Sequence, residues 1–136
     1  MFEAEKDKYL MKHGFGATRL KAVLFDMDGV LFDSMPNHAY SWSHAMTQFG
    51  LHITPEEAYM HEGRTGGGTI DLLAQRDWGR RATEEEKQTI YKAKSDVFSR
   101  CPEAPRMPGA YELLKKVKAD GFTPMVVTGS GQVSLI

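Results

Sequence analysis

Lys21-Ala22-Val23-Leu24-Phe25-Asp26-Met27-Asp28-Gly29-Val30-Leu31-Phe32-Asp33-Ser34 is the stretch on which the reading of this chain turns. A short apolar run, Ala22 to Phe25, stops at a turn signal, the pattern of a buried strand in a parallel sheet. Ligands of such sheets bind outside the carboxyl ends of the strands. Asp26 and Asp28 stand at that end, and alternate strand residues project to one side, so both carboxylates face one centre. Gly29 lets the chain turn sharply behind them. Two close carboxylates repel unless a cation sits between them. Hard oxygen donors, with a substrate phosphate completing the shell, suit Mg²⁺. One carboxylate can then attack while the other, still protonated, serves the leaving oxygen. The competing reading is that both aspartates merely cap the loop leaving the strand.

Outward from this stretch the pattern is mostly helical. Residues 1–13 predict a short polar helix with Phe2, Tyr9 and Leu10 on one side, broken by Gly14-Phe15-Gly16. After Pro36, Tyr40, Trp42, Ala45, Met46 and Phe49 recur at helical spacing up to Gly50. Thr54-Pro55-Glu56-Glu57 opens a short second helix with a capping hydroxyl, an early proline and glutamates facing the dipole. His61-Glu62-Gly63-Arg64-Thr65-Gly66-Gly67-Gly68 interrupts it, and Ile70, Leu72, Leu73 and Trp78 predict a helix over 69–78. Thr83-Glu84-Glu85-Glu86 is a capping box for a longer helix reaching Phe98. The proline-rich connector 101–108 precedes a helix carrying Tyr111, Leu113, Leu114 and Val117, closed by Gly121.

A second strand, Thr123 to Thr128, follows, with Pro124 tolerable only near its start. Gly129-Ser130-Gly131 leads towards a further helix from Gln132. Phe25 and Val127 lie roughly a hundred residues apart, whereas a parallel crossover needs only about a dozen. The helix before the second strand supplies that return, so the helical stretch between is surplus and reads as an insertion.

The 136 residues suit one ordinary domain or a small core with an insertion. With 41% hydrophobic and 26% charged residues and a net charge of −1, neither disorder nor a nucleic-acid field is indicated. The one cysteine, Cys101, rules out an internal disulfide and fits a reducing compartment. No apolar run has membrane-spanning length, and the charged amino terminus lacks a signal-peptide core. The expectation is a cytoplasmic protein with no nucleic-acid or membrane partner.

In this context Asp26-Met27-Asp28-Gly29-Val30-Leu31-Phe32-Asp33-Ser34 closely resembles the first motif of the haloacid dehalogenase superfamily. Val126-Val127-Thr128-Gly129-Ser130 resembles its second, and the helical insertion resembles the cap of its β-phosphoglucomutase-like subgroup. The resemblance implies an α/β fold: a partial Rossmann-like parallel-sheet core, residues 21–35 and 101–136, with an inserted α-helical cap domain over 36–100. Residues 1–20 form an extension.

It further implies a Mg²⁺-dependent phosphohydrolase working through an aspartyl-phosphate. Asp26 would be the nucleophile and a metal ligand. Asp28 would be the general acid/base, its backbone carbonyl also on the metal. Thr128 and the amide of Gly129 would hold the phosphoryl oxygens, and Ser130 would either join them or cap the next helix. Asp33 and Ser34 shape the turn. His38, where the first linker enters the cap, matches a histidine that positions the acid/base in β-phosphoglucomutases. His44, His52 and His61 have no ligand-like spacing and are read as structural or solvated, and Trp42, Trp78 and Phe98 as cap packing.

The glycine-rich segment corresponds to the cap's specificity loop, and three glycines there favour a loop descending over the site. Sugar-phosphate mutases carry a lysine and an arginine where this chain has Glu62 and Gly66. The acidic residue within Tyr59-Met60-His61-Glu62-Gly63-Arg64-Thr65-Gly66 resembles instead the inorganic pyrophosphatase branch, with Glu62 helping to hold Mg²⁺ and Arg64 facing the leaving phosphate. The expected partner is thus pyrophosphate or another small phosphorylated substrate. The alternatives are a β-phosphoglucomutase and, from another class, a non-catalytic regulatory relative. The lysine and further acidic groups that the family places on later strands are absent, so a partial chain, inactive by itself, is expected.

Overall fold

The computed structural model describes residues 3–16 and 19–129. At its centre, β1 (Ala22–Phe25) and β2 (Thr123–Val126) pair in parallel, with Ala22 opposite Thr123 and Phe25 opposite Val126. Both strands therefore end at the same sheet edge, and the bond from Val127 N to Phe25 O (2.8 Å) extends the pairing there. Pro124 is the second residue of β2, opposite Val23. The crossover back to β2 ends in α6 (Ala110–Ala119), which starts after Gly109 (φ +80°).

Alternation along β1 puts Val23 and Phe25 on one face. They pack with Leu31, Ala110, Leu114, Val117 and Phe122 in one buried cluster. The other face is open: Leu24 is 62% exposed, and its register partner Met125 is exposed as well. A strand buried on both faces was the expectation. The described residues place a helix against one face only, and of the two strands only Phe25 is buried.

The loop after β1 is tight. Met27 O accepts from Leu31 N (2.9 Å) and Phe32 N (3.1 Å), and Gly29 takes the positive φ (+71°) that the return requires. The outgoing chain then runs beside the returning connector, through Met107 N to Leu31 O (2.9 Å) and Asp33 N to Pro105 O (2.8 Å).

Between those connectors lie α2 (Met35–Thr47), α3 (Pro55–Met60), α4 (Gly66–Asp77) and α5 (Glu84–Phe98). Thr83 with Glu86 forms the expected reciprocal capping box, and at Thr54, where a capping hydroxyl was expected, Glu57 completes a second one. Met46, Leu51, Ile70, Leu73 and Ile90 are almost fully buried in a cluster of their own, flanked by Trp42, Phe49, Trp78 and Tyr91. The Trp78 indole N–H donates to Phe49 O (3.2 Å). Tyr40 lies outside that core, exposed and stacked on His44, and Tyr111 and Leu113 of α6 are exposed too.

The glycines correct a second expectation. Gly66-Gly67-Gly68 is the first turn of α4, capped by Thr65, whose hydroxyl accepts from Gly68 N (3.2 Å). A Cβ on Gly66 would overlap the edge of the Tyr91 ring. Packing between α4 and α5 therefore excludes a side chain there.

The amino-terminal helix α1 (Glu3–His13) buries none of its residues, and Tyr9, His13 and Phe15 group on its surface. Phe2, Ser130 and the helix expected from Gln132 lie outside the described residues. No helix among the described residues is long and apolar enough to cross a membrane.

Candidate active site

Because β1 and β2 end together, Asp26 and Asp28 lie beside Thr128 and Gly129, and all four line one cavity of about 210 Å³. The opposite wall comes from the helices and the segment before α4, including His38, Glu62 and Arg64. A region of about a hundred residues thus separates in sequence what the parallel pairing brings together in space.

Asp26 is exposed to the cavity, one carboxylate oxygen accepting from Met27 N (2.8 Å). Asp28 is held differently. Its Oδ1 accepts from the Ser34 hydroxyl (2.5 Å) and stands 3.2 Å from His38 Nε2, with both side chains largely buried. That histidine approach lacks the alignment of a good hydrogen bond. Ser34 is itself buried at the start of α2, so the turn residue also orients a carboxylate.

On the far side of the imidazole, His38 Nδ1 lies 3.0 Å from Lys94 Nζ. Lys94 projects from α5 and is only 2% exposed. Burial pulls its pKa down from 10.5 to about 8, against the attraction of Asp28, Cys101 and Glu62. Its ammonium sits over Phe98 (4.7 Å to the ring centre), with Trp42 at 5.6 Å and Tyr91 at 6.0 Å, favourable positions for a cation beside ring faces. With Lys94 charged, Nδ1 accepts and the ring hydrogen resides on Nε2, towards Asp28. Lysine, imidazole and carboxylate form a polar chain reaching into the cavity.

Lys94 is absent from the residues that the motifs single out. Its sequence signal is a lysine on the apolar stripe of α5, between Ile90 and Tyr91 before it and Phe98 after it, where a charge is out of place. His61, read from sequence as structural or solvated, lines the cavity beside Glu62. Trp42 has two roles, packing against the helical core and walling the cavity. Gly63 (φ +77°) turns the chain between Glu62 and Arg64.

For a divalent cation the described residues offer Asp26 and Asp28 as hard oxygen donors, and Glu62 on the facing wall. They contain no preassembled cluster of three or more His, Cys, Asp or Glu. That donor set fits Mg²⁺, which is commonly bound by one or two carboxylates together with waters and substrate phosphate.

Comparison with known proteins agrees with this geometry. Residues 20–135 match the haloacid dehalogenase-like hydrolase family. The phosphoglycolate phosphatase of Haemophilus influenzae is 30% identical over 119 residues, 82% of this chain and 52% of that protein. A solved structure named "Putative beta-phosphoglucomutase from Bacteroides vulgatus" is 57% identical, with a TM-score of 0.87 over 98% of this chain and 55% of that one. A beta-phosphoglucomutase from Clostridium difficile shares the fold at 21% identity, with a TM-score of 0.67, 79% of this chain and 51% of that one being covered. The chain spans about half the length of the relatives it matches. With two aspartates after the first strand, a threonine after its parallel neighbour and helices inserted between them, the chain belongs to the haloacid dehalogenase-like hydrolase family.

Proposed function

We propose that these residues form the nucleophile and acid/base half of a phosphohydrolase acting on a small phosphate substrate, inorganic pyrophosphate first among them. The observation that carries the reading is the meeting of Asp26, Asp28 and Thr128 on one cavity, with Asp28 tied to His38 and Lys94. Residues 21–35 and 101–136 act as the core and 36–100 as its cap, in keeping with two separate buried clusters.

In the first step an Asp26 carboxylate oxygen bonds to phosphorus and the bond to the leaving oxygen breaks, Asp28 supplying that oxygen's proton. In the second, Asp28 takes a proton from water as the water oxygen attacks phosphorus, releasing phosphate and restoring Asp26. The Thr128 hydroxyl and Gly129 amide donate to the phosphoryl oxygens. Ser34 and His38 hold Asp28 in place, and Lys94 fixes the tautomer of His38. Asp26, the Asp28 carbonyl and Glu62 would hold Mg²⁺, which when bound offsets the negative charge of the phosphoryl group.

The small cavity supports a compact substrate: about 210 Å³, against roughly 300–1,000 Å³ for sites taking drug-sized ligands. A β-phosphoglucomutase is the second reading, favoured by the printed name of the Bacteroides vulgatus relative. Against it, Glu62 and Gly66 stand where the mutase resemblance expects two cations. Phosphoglycolate, the substrate in the Haemophilus relative's name, is a third compact candidate. The complete polypeptide carrying this sequence is to be incubated with Mg²⁺ and each of pyrophosphate, phosphoglycolate and β-glucose 1-phosphate. Phosphate release from pyrophosphate at enzyme-like rates is expected. Isomerisation of the sugar phosphate without release would establish the mutase instead.

A further inference from the structure

Helix α2 presents two working stripes. His38 and Trp42 line the catalytic cavity, whereas Asn37, Tyr40 and His44 line a second cavity of about 390 Å³ that shares no residue with the first. The end of α5 and the connector after it, with Arg100, Cys101 and Pro102, form its other wall. The two walls are tied together. Asn37 Nδ2 donates to Pro102 O (2.8 Å), and the Cys101 sulfur lies 3.7 Å from the buried Ser41 hydroxyl.

Two chemistries meet in this cavity. The rings of Tyr40 and His44 stack on one another, with centres 5.4 Å apart and planes at 18°, and Tyr40 is 56% exposed. They offer a flat aromatic surface on which another ring can lie. Arg100 supplies the charge. Its Nε donates to Asp96 O (3.0 Å), but the Asp96 carboxylate is taken by Lys92 (2.7 Å). Among the described residues no carboxylate pairs with Arg100, and no acidic side chain lines the cavity. A guanidinium fork in that setting matches a carboxylate or a phosphate.

We propose that this second cavity binds a planar aromatic anion, its ring against Tyr40 and His44 and its carboxylate or phosphate on Arg100. The volume lies within the roughly 300–1,000 Å³ of sites that take small organic ligands. A ligand so held touches α2, α5 and the connector between the helical and sheet units. A nucleoside monophosphate and an aromatic carboxylic acid both carry this chemistry. The inference does not depend on the phosphohydrolase reading.

The test is calorimetric binding to the complete polypeptide, without Mg²⁺ so that no phosphate ester is consumed. Adenosine 5′-monophosphate and indole-3-carboxylate are compared with adenosine and indole, which lack the anion, and with ribose 5-phosphate, which lacks the aromatic ring. At least one aromatic anion should bind about tenfold or more tightly than its partial analogues, and which one does so identifies the source. Arg100→Gln should weaken that binding by about tenfold or more through loss of charge-assisted hydrogen bonds. Tyr40→Ala should weaken it by about fivefold or more through loss of stacking. Both side chains are exposed, so the variants should melt as the wild type does. The bound anion should also slow alkylation of Cys101 by iodoacetamide, located by peptide mass.

Asp26→Asn should leave the affinity unchanged. An affinity that responds to Asp26→Asn but not to Arg100→Gln would place the ligand in the catalytic cavity and overturn the proposal. So would the failure of both aromatic anions to bind at millimolar concentration, or binding that leaves Cys101 alkylation at its free rate.

Discussion

The helical unit and the sheet unit of this molecule solve the burial problem to different degrees. In α2 to α5, Leu73, Ile70, Met46 and Leu51 are wholly enclosed by neighbouring helices and by Trp42 and Trp78. In the sheet unit, α6 lies against one face and Leu24 and Met125 remain exposed on the other. The unit with the better core contributes mainly walls, while the open sheet carries the two aspartates. Stability and chemistry are therefore expected to separate under mutation.

The largest effect belongs to Asp26→Asn in the complete polypeptide. Removing a nucleophile typically costs roughly 10⁴- to 10⁶-fold in turnover, with the melting temperature almost unchanged because Asp26 is exposed. Substantial residual turnover would remove Asp26 from its assigned role. Next is Leu73→Ala, which should cost about 2–5 kcal/mol in urea unfolding through the cavity it leaves. Leu24→Ala, measured alongside in residues 1–136, should stay within about 0.5 kcal/mol. Equal losses at the two positions would abolish the contrast between the units.

Lys94→Met is expected to separate the two properties inside the helical unit itself. Turnover should fall as the tie to His38 is lost, while stability at neutral pH should hold or rise, since an apolar group of similar length replaces a buried charge. The pH dependence gives the sign. The folded state releases the Lys94 proton near pH 8 and the unfolded state near 10.5, so between them the unfolded chain binds more protons. Stability of the wild type therefore gains on that of Lys94→Met as pH rises through this window. A constant difference from pH 7 to 10 would show that Lys94 is not desolvated. Apart from the near-neutral Leu24→Ala control, the smallest effect is Thr83→Ala, which loses one capping bond of α5 and should cost about 1 kcal/mol without altering turnover.

Most local structure was legible because its causes are local. Thr54 with Glu57 and Thr83 with Glu86 satisfy backbone N–H groups within four residues, so their sequence predicts them well. The same holds for Gly121, which takes a positive φ after α6. The three glycines misled because entropy alone favours a loop, and only the Tyr91 ring from another helix explains why α4 starts on them. Leu24 misled for a related reason: an apolar strand residue is buried only if some other element covers it. Lys94 was overlooked because a lysine in a helix is ordinarily a solvated residue, and its burial depends on three rings and a histidine from α2 and α5.

By itself the sequence determined the starts of α3 and α5, the two strands, the acidic turn at Asp26 to Gly29 and the family these resemble, since each follows from contacts within a few residues or from a motif in one piece. Only the tertiary structure decided that Lys94 stands behind the Asp28–His38 pair, that Ser34 holds the same carboxylate, and that Tyr91 closes on Gly66. Those relations join residues up to 66 positions apart, from Asp28 to Lys94, and they exist because parallel pairing and helix packing bring distant backbones within side-chain reach.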